Sequence, residues 1–159
     1  MKDFFWMALS VVAAFLLYTV LSKISLSLLH LINLFSLVVI YFASERGEIC
    51  GACLGTFCGL IQDSFSLGVF GVAGVSKTLM GFLAGYFAGK VNVTPLKRSF
   101  LFIFVLISME LFIWASLFTF IFSERVSTGG GLLFFQPLLT ALLGSAGLYF
   151  IRKKKKSSS

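Results

Sequence analysis

Apolar and polar positions along this chain come in long blocks. Phe4 to Leu21, Ile24 to Ala43, Glu48 to Ser64, Gly68 to Gly89, Pro95 to Phe122 and Leu132 to Ile151 are each near the length of a membrane-crossing helix. Such a helix needs about 20 predominantly apolar residues to cross a hydrocarbon layer ~30 Å thick, so the pattern predicts six spans. The breaks between blocks are short and polar: Ser22 with Lys23, Ser44 to Gly47, a turn holding Lys90, Lys97 and Arg98, and the glycine-rich stretch 123–131. Thr94 stands where it would cap the fifth helix and Pro95 where it would open the first turn; Pro137 is expected to kink the sixth helix or mark its first turn. The fold class expected is therefore all-α: one six-helix transmembrane domain over residues 1–151 and a basic tail at 152–159. Ser25, Ser27, His30 and Asn33 make the outer half of the second block polar, which leaves open whether residues 24–34 cross or re-enter.

The third and fourth blocks carry a second periodicity. Gly47, Gly51, Gly55 and Gly59 lead to Asp63 at intervals of four, and Lys77, Gly81, Gly85 and Gly89 repeat the interval. Residues four apart lie along one ridge of a helix. Lipid gives helices no hydrophobic reason to associate, so bare ridges of this kind serve close backbone approach to another helix. Each of the two helices therefore has a groove for a neighbouring helix.

Composition agrees with the blocks. The 159 residues are 58% hydrophobic and 12% charged, with 20 Phe, whereas soluble domains are about 25% charged. Ten of the 13 basic residues (Lys2, Arg46, Lys90, Lys97, Arg98, Arg152 and Lys153 to Lys156) fall on one side of a six-span layout, leaving Lys23 and Arg125 on the other and Lys77 within. By the positive-inside rule both termini are cytoplasmic. The net charge of +7 is then a matter of insertion and of anionic headgroups, not of nucleic acid. TVLSKIS after the first block offers no small-x-small cleavage site, so that block is expected to stay as an anchor.

Candidate chemistry is sparse. Cys50 and Cys53 form C-x-x-C without the surroundings of a redox domain, and are read as small apolar residues in a packed helix. GVAGVSKT, Gly71 to Thr78, mimics a phosphate-binding loop, but it leads into an apolar helix instead of joining a strand to a helix in water. His30 has no ligand-type residue at metal spacing, and no G-x-S-x-G is present. No catalytic, cofactor or metal residue is assigned. The charges inside the apolar blocks remain: Asp63, Lys77 and Glu110. A charge at mid-bilayer costs roughly 3 kcal/mol on insertion scales and is usually paired. Lys77 matches the depth of Glu110 if its helix begins at Gly68; a start nearer Val72 brings Asp63 within reach instead, and Asp63, close to the interface, has the further reading of a solvated or loop-capping carboxylate.

Residues Gly59 to Lys90, GLIQDSFSLGVFGVAGVSKTLMGFLAGYFAGK, resemble the signature of the rod shape-determining protein MreD family: a G-L-x-x-D segment, a short loop with L-G, and a glycine-rich helix close to K-T-L-x-G-F-L-A-G. The family often places Pro before Asp or Asn ahead of the second span, where this chain has Leu31, Ile32, Asn33 and Leu34, so nothing is carried over to Asn33. The resemblance implies a non-enzymatic, multi-pass subunit of the bacterial cytoplasmic (inner) membrane. It would bind the scaffold MreC, with the glycine ridges and the Asp63 to Gly71 loop as the docking surface for its transmembrane and juxtamembrane helix, and, directly or through it, MreB, RodA and its partner transpeptidase. Gly59, Gln62, Asp63, Gly68, Gly71, Lys77, Gly81, Gly85, Gly89 and Glu110 are the expected partner-binding or structural residues. A rival reading is the substrate-binding subunit of an energy-coupling-factor-type transporter, similar in size and layout. Those subunits dock through A-x-x-x-A in the first helix, and FFWMALSVVAAFLLYTVL has no alanine pair at that spacing.

Overall fold

The computed structural model describes residues 2–24, 32–65, 70–91, 95–122 and 132–157. These form six α-helices and, among the described residues, no strand: α1 (Lys2–Ile24), α2 (Leu34–Arg46), α3 (Glu48–Phe65), α4 (Val72–Ala88), α5 (Leu96–Phe122) and α6 (Leu132–Ser157). The all-helical class is as expected, but several boundaries differ. α1 runs on through Lys23, where a turn was expected. α2 starts ten residues later than its apolar block, because the Asn33 side chain accepts a hydrogen bond from the Ser36 amide (3.3 Å) and so caps the helix there. Residues 25–31, with His30, lie outside the described residues, as do Gly68 and Thr94. Pro95 precedes α5, its carbonyl accepting the first helical bond from Ser99 N at 2.9 Å. α6 continues through Pro137 and past Ile151 to Ser157.

α3 and α4 form an antiparallel hairpin in which bare backbone meets bare backbone. A methyl group built on Gly51 would strike the carbonyl of Gly81, and one on Gly81 the carbonyl of Gly51. Gly55 lies against the Lys77 carbonyl, Gly59 against Ala73 and Gly74 (2.5 Å from a built Cβ), and Gly85 against Gly47 and Glu48. The two glycine ridges therefore face each other. This corrects the expectation of a docking surface at Gly59, Gly81 and Gly85: an interval of four says that a helix comes close, and the helix that does so is the neighbour in the same chain. Gly89 lies beyond the interface, a built Cβ meeting only ordinary contacts at 3.8 Å or more. Thr56 and Thr78 add a hydroxyl–hydroxyl bond of 2.8 Å across the hairpin.

α2 lies on this hairpin, with Ala43 over Gly51 and Val39 over Gly81. It also packs against α1 and α6, while α5 packs against α4 and α6. Phe35, Val39, Ile40 and Ala43 of α2 join Met80 and Ala84 of α4, Ile103, Leu106 and Ile107 of α5 and Ala141 of α6 in one core. α1 is held at the edge by rings: Tyr18 on Phe35 (centroids 5.6 Å apart) and Phe15 on Phe65 (5.5 Å). Such aromatic pairs add ~0.5–1.5 kcal/mol each beyond the area they bury. Among the described residues one helix, Leu96–Ile121, is long and apolar enough to cross a membrane, with 26 residues and mean hydropathy 2.3. Phe5–Leu21 and Val72–Ala88 are shorter apolar helices.

The interlock predicts a ranking of glycine substitutions. Gly55→Leu should force α3 from α4 and destabilise the fold by roughly 1–3 kcal/mol or more, the usual cost of overpacking. Gly89→Ala should leave it within about 0.5 kcal/mol, as for surface changes. Thermal loss of the monodisperse species in detergent, followed by size-exclusion chromatography, reads both.

Candidate functional site: a buried ion pair at a four-helix junction

Lys77, the sixth residue of α4, is fully buried, and Glu110, in the middle of α5, is 5% exposed. Their charged ends meet: Lys77 Nζ donates to Glu110 Oε1. Two further acceptors complete the ammonium group, Ser36 Oγ at 2.6 Å and Asn33 Oδ1 at 3.2 Å. An ammonium has three donors, and each of them has its own acceptor here. The carboxylate is engaged on both oxygens, Oε1 accepting also from Asn33 Nδ2 (3.2 Å) and Oε2 from Ser36 Oγ (2.6 Å). Asn33 N in turn donates to Thr140 Oγ1 on α6 at 3.2 Å. One positive and one negative charge thus tie α2, α4, α5 and α6 together.

Local structure explains why these groups can converge. Capping by Asn33 starts α2 inside the bundle, at the level of the pair, so its polar first turn faces the charges instead of continuing as apolar helix. A carboxylate near the N-terminal end of a helix also meets the positive end of its dipole. Gly55 lets α4 approach at Lys77 itself, whose carbonyl would collide with any side chain there. In the sequence Asn33 stands out only as one of the polar residues of the second block, and Ser36 and Thr140 do not stand out at all. Their only signal is polarity within an apolar run, and for Asn33 and Ser36 the three-residue spacing of a cap.

Asp63 belongs to a different assembly. It is 2% exposed, and its carboxylate accepts from three backbone amides at the start of α4: Gly71 (2.9 Å), Ala73 (3.1 Å) and Gly74 (3.0 Å). α4 does begin at Val72, the start that would have favoured an Asp63–Lys77 pair, but Asp63 caps the helix and Lys77 goes to Glu110. The first amides of a helix are otherwise unpaired and attract anions. Here that place, in the octet that mimics a phosphate loop, is filled by the chain's own carboxylate. Gly71 has φ +100°, a left-handed conformation that L side chains rarely adopt, and its amide is one of the three donors. Gln62 is half-buried beside Asp63 on α3. Gly68 lies outside the described residues.

The cysteines are the remaining candidates. Cys53 is exposed, Cys58 is buried, and Cys50 Sγ lies 3.7 Å from Met7 Sδ, linking α3 to α1. Among the described residues no group of three His, Cys, Asp or Glu could hold a metal ion. Chemically, the junction stabilises a shape: each charge is neutralised and each strong donor is used.

Removing one member of such a pair leaves an uncompensated buried charge, costing roughly 3–5 kcal/mol, whereas exchanging both for apolar groups of similar volume is often near neutral. Lys77→Met is therefore expected to destabilise strongly, and the double variant Lys77→Met with Glu110→Leu to recover most of the loss, measured by denaturant titration in detergent. Asp63→Ala should cost about 1–2 kcal/mol through loss of the cap and speed hydrogen exchange of the Ala73 and Gly74 amides.

Comparison with known protein families, with characterised proteins and with solved structures finds no match to this chain.

Proposed function

We propose that this chain is a non-enzymatic, six-span subunit of the bacterial cytoplasmic membrane that serves the cell-wall elongation machinery, in the manner of the MreD family that Gly59 to Lys90 resembles. One observation carries the reading. Asp63, Lys77 and three glycines of that segment serve internal architecture, Asp63 the start of α4, Lys77 the pair with Glu110, and Gly59, Gly81 and Gly85 the hairpin, while Lys90 at its end is exposed. Polar groups closed on one another hold a scaffold in shape and do not turn over a substrate.

The outer surface supports residence in lipid. Phe57, Phe112 and Phe120 are 67%, 73% and 87% exposed, and α1 presents Phe5, Leu9, Val12, Leu16 and Val20 outward. Apolar exposure spread over several helices is what lipid or partner helices cover. α2, with 13 residues and a rise of about 1.5 Å each, spans roughly 20 Å, less than a full crossing. Its capped Asn33 end is buried against α4, α5 and α6, and a non-helical backbone is tolerated in an apolar setting where protein surrounds it.

With the glycine ridges closed, a partner has to be met on these outer faces. MreC would be the direct partner, with MreB, RodA and its transpeptidase engaged directly or through it. Photo-crosslinking residues placed at Leu17, Phe57, Phe82 and Phe112 in a rod-shaped bacterium carrying this chain are expected to capture a single-span scaffold protein from at least one position, and depletion of the chain to round the cells. Rods that persist on depletion, with none of the four positions crosslinked, would contradict the proposal.

A further inference from the structure

Two helices bring sulfur together near the start of α3. The Cys50 thiol of α3 lies 3.7 Å from the Met7 thioether of α1. Gly51 N donates to the Gly47 carbonyl (3.1 Å), so α3 opens at Glu48 and Cys50 is its third residue. Cys53 follows nearly one turn on, and positions three apart on a helix are neighbours, with Cβ atoms about 5–6 Å from each other. Cys50 is half-buried and Cys53 is exposed. In sequence the C-x-x-C has two donors and no third; the fold supplies Met7 from 43 residues away.

The spacing is that of a shared metal ion. Two sulfurs that each bind one ion at about 2.3 Å, with ~100–120° between them, stand about 3.5–4.0 Å apart. The separation of Met7 and Cys50 falls inside that window. Cys53 joins them by turning about a single side-chain bond, a rotation that its exposure leaves open.

Ligand chemistry selects the ion. Thiolate and thioether are soft donors and favour Cu(I), which is satisfied by two or three of them. Zn(II) takes four ligands from Cys, His and carboxylate, and among the described residues no group of three His, Cys, Asp or Glu could hold a metal ion. The first turn of a helix also favours a thiolate, because its free amides and its dipole face the charge, and Cys50 stands in that turn. Glu45, Arg46 and Glu48 precede it with charges of both signs, so the selection rests on the sulfurs and not on net charge.

From this geometry we propose that Met7, Cys50 and Cys53 form a binding site for Cu(I) that ties the start of α3 to α1. On binding, the two thiols give their protons to solvent and their sulfurs bond to the ion, with the thioether as a neutral third ligand. Copper stays cuprous throughout. The site rests on the fold and is independent of the function proposed above.

The purified chain in detergent, reduced and free of oxygen, is titrated with Cu(I) against the chromophoric chelator bicinchoninate. A single Cu(I) per chain is expected to be withdrawn from the chelator, with sulfur as its only neighbour in the X-ray absorption spectrum. Cys53→Ala, at an exposed position, should lower the affinity by more than the roughly 10–100-fold that loss of an outer-shell partner costs a metal site. Met7→Leu, a swap that conserves volume, should lower it several-fold and remove one sulfur neighbour from the spectrum. A chain that takes no Cu(I) from the chelator would overturn the site. Equal affinity in the parent and in Met7→Leu would overturn it as well, since it would mean adventitious binding to thiols only.

Discussion

A lysine and a glutamate buried among apolar helices can exist as charges only in each other's company. Lys77 and Glu110 meet that condition with two helpers, Asn33 and Ser36, which occupy the donors and acceptors left over by the pair itself. The consequence reaches across the bundle. The four residues sit on or cap three different helices, and Asn33 draws in a fourth through Thr140, so the relative positions of α2, α4, α5 and α6 are specified by one small neutral cluster. Buried pairs of this kind are weak sources of net stability, since desolvation offsets most of the attraction. Their effect is on which arrangement is allowed: any shift that separates the partners leaves a charge stranded.

The glycine interlock is the other half of the same design. It brings α4 close enough to α3 that the Lys77 backbone rests on Gly55, and the notch at Gly51 and Gly81 receives Ala43 and Val39 of α2. α2 is thereby seated with its capped start beside the ammonium group. Asp63 completes the hairpin at its far end by occupying the amides that open α4. Scaffold and polar junction depend on each other, and the outer helix faces are left apolar.

Much of this could be read from residues alone, and the exceptions have physical reasons. Helical blocks were visible because hydropathy changes abruptly at Ser44 to Gly47 and at Lys90 to Arg98. The need for a partner to Lys77 was visible from depth, and Glu110 stands at the matching depth on α5. That the second block is irregular over 24–34 is legible in Ser25, Ser27, His30 and Asn33, but the residue at which α2 starts is not, because it is set by one capping side chain. At Asp63 depth alone leaves two roles open, an ion pair with Lys77 or a carboxylate that caps the loop, and the three backbone amides that a helix start at Val72 presents decide for the cap. The glycine rows were legible as surfaces for close approach, but periodicity carries no information on which helix fills the groove. Ser36 and Thr140 look like ordinary small polar residues of a membrane helix until the fold brings them to the ion pair.

A pair that fixes the bundle in this way is ionised and in contact when the protein is in a bilayer. Solid-state NMR on protein labelled with ¹⁵N at lysine side chains and ¹³C at glutamate carboxyls, with Glu110→Gln to assign the signal, tests this most directly. The expected result is a Glu110 carboxyl chemical shift in the ionised range and a strong dipolar coupling to Lys77 Nζ. A protonated carboxyl, or an ionised one without that coupling, would contradict it.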